Sequence, residues 1–67
     1  MFIIPLVQIN MWKGIEEEKI KQLIERIPEV FVEMDIPREA VEVIVHEIPK
    51  THWGIGGVQH SEKFKDR

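Results

Sequence analysis

The sequence predicts an α/β (α+β) chain built on one βαβ unit, with two parallel strands, one main helix, a C-terminal hairpin or arm, and a sheet completed by dimerisation. Three observations predict it. An apolar run from Phe2 to Met11 gives way after Gly14 to apolar residues spaced by three and four, and after Pro37 to valines that alternate along the chain. Strand, helix and strand in that order call for parallel pairing and a right-handed crossover.

The first strand is apolar on both alternating faces from Phe2 to Met11, with only Gln8 and Asn10 interrupting, as suits a strand covered on both sides. Met1 to Ile4 belong to the same run and are expected to be ordered strand. Pro5 has no N–H and fits an edge or the start of a ladder. Gly14 breaks the run, and Glu16, Glu17 and Glu18 fall where negative charge meets the positive end of a helix dipole. Ile20, Leu23, Ile24, Ile27, Phe31 and Met34 then share one helical face. Pro28 lies inside that stripe and removes a hydrogen bond, so either a kink or a local break is expected there, and the continuing stripe favours the kink.

Asp35-Ile36-Pro37 ends the helix, and Pro37 opens one helical turn through Arg38 to Ala40. Val41, Val43 and Val45, alternating with Glu42, Ile44, His46 and Ile48, form the second strand, bounded by Pro49. One helix covers one face of a two-stranded sheet, yet Ile44 and Ile48 lie opposite the valines. That second face needs a partner. Lys50 to Gly57 read as a glycine-rich loop, and Val58 to Arg67 as a short hairpin or arm with a solvated end.

The whole chain, 1–67, is one small domain, and a chain of 67 residues leaves a small margin of buried surface. It contains no cysteine, which excludes disulfides and thiolate chemistry and leaves oligomerisation as the staple. A net charge of −3 and a pI near 5.5 argue against a nucleic-acid or anionic-membrane partner. No stretch is long enough to span a bilayer as a helix, and the apolar start lacks a basic n-region and a small-residue cleavage site, so a cytoplasmic location is expected.

Pro5-Leu6-Val7-Gln8-Ile9, Gly14, Pro37, Glu47, Lys50 and the turn His52-Trp53-Gly54-Ile55-Gly56-Gly57 stand in an order and spacing that resemble the 4-oxalocrotonate tautomerase family. The resemblance covers Pro5 to about Val58. It implies a βαβ monomer that pairs into dimers, three of which form a homohexamer, with no cofactor and no metal. It also implies a 1,3-proton shift on a small carbonyl substrate, with Pro5 as catalytic base and Trp53 as the aromatic that keeps the pocket apolar. In the family the proline opens the chain as a free secondary amine.

Residues 1–4 form an extension before that position. While they are attached, the Pro5 nitrogen is an amide and takes no proton, so a chain starting at Met1 is expected to be weak or inactive in the family reaction. The Met1 amine lies roughly 13 Å from Pro5 along an extended strand. Phe2 is too large for ordinary removal of Met1, whereas initiation at the codon of Ile4 would expose Pro5. The family's two substrate-binding arginines align with Ile15 and with Glu42. A carboxylate about 4 Å from a substrate carboxylate repels it by on the order of 4 kcal/mol at an effective dielectric near 20, which disfavours dicarboxylates. Lys13 and Arg38 are the candidate replacement cations.

Each reading has a plainer counterpart. Pro5 is otherwise a silent strand proline, and Trp53 an aromatic packed at a subunit contact. Gly54-Ile55-Gly56-Gly57 has no following Lys-Ser/Thr and reads as a tight turn, not a phosphate cradle. His46, His52 and His60 lack zinc spacing and read as loop or strand histidines on a wet surface. Beside the enzyme stand two other readings of the same scaffold, a catalytically inactive oligomer and a module that binds an organic acid or a protein.

Overall fold

The computed structural model describes residues 4–67. Strand β1 is Leu6–Trp12, helices α1 and α2 are Glu17–Arg26 and Pro28–Val32, and strand β2 is Glu42–Ile48. A hairpin of β3, Gly54–Ile55, and β4, Val58–Gln59, leads into the short helix α3, His60–Lys63. The expectation that the strand reaches back to Phe2 lies outside the described residues for Met1 to Ile3. Ile4 and Pro5 precede β1, and the strand runs one residue past Met11.

Strands β1 and β2 pair in parallel, in a register that sets Leu6 against Glu42 and Trp12 against Ile48. The ladder continues at both ends, through Glu42 N–H donating to the Pro5 carbonyl at 3.0 Å and Lys13 N–H donating to that of Ile48 at 2.9 Å. Gly14, at φ 119°, then turns the chain toward α1 in a conformation that side-chain-bearing residues rarely adopt. Glu16 caps α1 by its carbonyl, which accepts from Lys19 and Ile20, while Glu17 and Glu18 occupy the first turn and Arg26 the last, in the sense the helix dipole favours.

At Pro28 the helical hydrogen bonds are interrupted, yet Ile27 keeps helical angles of −55° and −42°. Pro28 therefore serves as the first residue of α2, where its missing N–H costs nothing. It is also the one buried residue among those described. The helix stops in a left-handed residue, Asp35 at φ 66°, with Asp35 N–H returning to Val32 and Ile36 N–H to Phe31, a Schellman closure. The predicted stripe is only partly covered. Ile20, Leu23, Ile27 and Phe31 are half-buried, whereas Ile24 and Met34 are exposed.

The two sheet faces differ in the same way. Val7, Ile9, Val43 and Val45 alternate as half-buried residues on the helix side, while Leu6, Gln8, Asn10, Ile44 and His46 are exposed on the other. The expectation of a first strand covered on both faces is therefore not met within one chain. No apolar side chain among the described residues is fully buried. The radius of gyration is 15.5 Å and the extents are 45 × 26 × 14 Å, against roughly 11 Å expected for a compact chain of this length. The accessible surface of 5537 Å² likewise exceeds the roughly 4,400 Å² of a folded monomer of this mass.

Candidate active site

The residues that carry chemistry gather at the two ends of β1. At its start, Pro5 is half-buried, its carbonyl engaged by Glu42 N–H, with Ile4 66% exposed before it and Leu6 49% exposed after it. At its far end, Trp12 meets a group of rings supplied by the C-terminal segment. The Trp12 indole Nε1–H donates to His60 Nδ1 at 2.9 Å. Trp53 stacks on the same imidazole, with centroids 5.2 Å apart and planes 16° from parallel. Phe64 meets both Trp12 and His60 at 5.5 and 5.0 Å.

Local structure explains why these rings converge. The turn Lys50–His52 carries the chain from β2 back over the sheet end, and the hairpin reverses at Gly56 and Gly57, both at positive φ. The reversal lets His60 N–H donate to the Trp53 carbonyl at 2.7 Å, so the start of α3 is fixed to the residue just before β3. Lys50 Nζ lies 4.4 Å from the centroid of the Trp12 ring and donates to the carbonyls of Phe64 and Arg67. The Arg67 guanidinium sits 5.7 Å over Phe64.

Pro5 and Trp53, the two residues singled out from the sequence, do not share one pocket within a chain. Seven residue steps along β1 separate Pro5 from Trp12, about 23 Å at the rise of a strand. Of the two candidate cations, Arg38 is committed elsewhere, paired with the Glu29 carboxylate and donating to the Glu25 carbonyl at 3.3 Å. Lys13 is exposed and its backbone extends the ladder. Ile15 is half-buried and Glu42 exposed. The adjoining Gly14 N–H donates to Glu47 Oε1 at 3.1 Å, tying the turn to β2.

The sequence reading missed the aromatic end. His60 is half-buried and hydrogen-bonded, not a histidine on a wet surface, and the hairpin expected at Val58 leads into helix α3, packed against Trp12, where a solvated end was expected. The spacing of His60 and Phe64, one helical turn apart, is the signal that could have shown it. No three His, Asp or Glu side chains among the described residues are grouped to hold a metal ion, and no described helix is long and apolar enough to cross a membrane.

A half-buried proline thus precedes the first parallel strand, and a turn bearing an aromatic follows the second. A family model described as tautomerase enzyme matches residues 5–63, opening on Pro5. A 2-hydroxymuconate tautomerase of Comamonas testosteroni is 41% identical over 59 residues, covering 87% of this chain and 94% of its own. Among solved structures, a 4-oxalocrotonate tautomerase isozyme from Methylibium petroleiphilum has a TM-score of 0.78 at 38% identity, over 94% of this chain and all of its own. TomN, a 4-oxalocrotonate tautomerase homologue of tomaymycin biosynthesis, reaches 0.84 at 30% identity over 92% and 97%. The chain belongs to the tautomerase family.

Proposed function

We propose that this chain is a keto–enol tautomerase of a small carbonyl compound or oxo acid, active when Pro5 carries a free amine. The observation that carries it is the placement of Pro5, held at the start of β1 by its carbonyl bond to Glu42 and bordered by the exposed apolar Leu6. Apolar surroundings disfavour the charged form of an amine, which keeps it available as a base near neutral pH. In the ketonisation direction the amine takes the enol hydroxyl proton, the oxygen's electron pair re-forms the carbonyl, and the electron pair of the carbon–carbon double bond takes the proton back from the protonated amine onto carbon; the reverse sequence enolises the ketone.

Trp53 is the second participant, walling the substrate with an indole. Since Trp53 packs with His60 at the far end of β1, where Trp12 stands about 23 Å along the strand from Pro5, the pocket needs Trp53 of a second copy. Self-association is supported by the missing core and by the exposed face bearing Leu6 and Ile44. A homohexamer built as a trimer of dimers is the assembly we propose. Glu42, bonded through its N–H to Pro5, brings a carboxylate and no cation to that end of the sheet, which favours substrates with one carboxylate or none over dicarboxylates.

The test is ketonisation of an arylpyruvate and of a hydroxydienoate by the full chain and by a chain beginning at Pro5. The shortened chain is expected to exceed the full one by at least about a hundredfold, the usual contribution of a positioned base. Equal inertness of both forms removes the enzyme reading. Saturable binding of an oxo acid without turnover would then establish a binding module on the same scaffold.

A further inference from the structure

We propose that His60 is a positioning residue for Trp53, setting the plane of that indole through the hydrogen bond that it accepts from Trp12. The inference rests on Trp53 lining the pocket, as proposed above. An indole N–H can only donate, so the 2.9 Å contact makes His60 Nδ1 the acceptor and leaves the single proton of the neutral ring on Nε2. The ring is then held from three sides. Trp12 and Phe64 meet it nearly edge-on, at 86° and 85°, and Trp53 lies flat against its remaining face at 16°.

Backbone and side chain act together here. The His60 N–H bond to the Trp53 carbonyl, at 2.7 Å, is the shortest link between α3 and the hairpin, and it fixes where the two rings begin. What remains free is the rotation of each ring, and the Trp12 bond removes that freedom from His60. Stacked rings share one plane direction, so the orientation passes on to Trp53.

The cations packed on the ring group are Lys50, from the turn after β2 and over the Trp12 ring, and Arg67, from the tail and over Phe64. Both are donors only, so neither offers Trp12 Nε1 an acceptor in place of His60 Nδ1.

The experiment records the two indole N–H resonances of the ¹⁵N-labelled full chain, assigned with Trp12→Phe and Trp53→Phe. His60→Asn retains a side-chain acceptor and should keep the Trp12 bond. His60→Phe retains a ring without an acceptor, and should move the Trp12 resonance away from its hydrogen-bonded position and shift that of Trp53 with it. A Trp12 or Trp53 resonance unmoved by His60→Phe overturns the proposal.

Kinetics supply the readout that a merely structural role would not move. In the form of the chain that turns over an arylpyruvate, His60→Phe should raise KM roughly fivefold with kcat nearly unchanged, and His60→Asn should restore it. A fall in kcat at constant KM overturns the positioning role. If no form turns over, it is the tautomerase reading that fails, and the indole resonances still decide whether His60 orients Trp53.

Discussion

The two ends of β1 are finished to different degrees. Its far end is closed by the chain itself, with Trp12 held between Lys50, His60 and Phe64, whereas its near end presents Ile4, Leu6 and Ile44 to solvent around a half-buried Pro5. The contrast separates what a single chain can build from what it must borrow. Rings close in sequence to β1 and β2 can be folded over the sheet end by a hairpin. The face opposite the helices has no further helix to cover it, so a second copy is the economical source of cover.

The largest effect should come from charging the uncovered face. Ile44→Arg places a cation where association would bury it without a partner, a penalty of several kcal/mol. Sedimentation should show loss of assembly, and circular dichroism loss of much of the fold, because the described residues enclose no core of their own. A well-folded monomer carrying Arg at this position would show that the single chain is self-sufficient, and would erase the contrast between the ends. Next comes Trp12→Ala, which empties the finished end of its central ring. The loss should be about 2 to 3 kcal/mol in thermal or denaturant unfolding, below the range for a fully buried tryptophan because Trp12 is only half-buried. Trp12→Phe keeps most of the packing and loses the bond to His60, at about 1 kcal/mol.

The same contrast marks what was legible in the sequence. A continuous apolar run, helical spacing and alternating valines locate β1, α1 and β2 in turn, because each element's pattern is local and each is at least seven residues long. Pro28 was seen as a disturbance, but whether it would kink a helix or start another depended on Ile27 holding helical angles, which no composition states. Pro5 and Trp53 stand in an arrangement recognisable from sequence. Their placement at opposite ends of the sheet is not, since it depends on register and on which strand end the hairpin folds over. The ring group was missed for the related reason that Trp12, Lys50 and His60 lie far apart in sequence, and single aromatics in a polar tail look like surface.

Two smaller substitutions sharpen the difference between fixed and open regions. Gly14→Ala tests the turn that joins β1 to α1. Nothing lies within 4 Å of an added Cβ, so the cost is purely conformational, set by a φ of 119° that alanine rarely adopts. About 1 to 3 kcal/mol of unfolding free energy should be lost, or the turn should shift and release the Gly14 N–H bond to Glu47, which amide hydrogen exchange would detect.

Arg38→Ala is expected to have the least effect. The Arg38 and Glu29 side chains are about half exposed, at 49% and 54%, so water screens their attraction and ordering both side chains offsets part of what remains. The second bond, to the Glu25 carbonyl, reaches a helix end that water can satisfy instead. Less than about 1 kcal/mol should be lost in chemical denaturation, and raising the salt should shrink the difference further. A larger, salt-insensitive loss would mean that this edge is covered in the assembly, and that Arg38 is held inside an interface with the next copy.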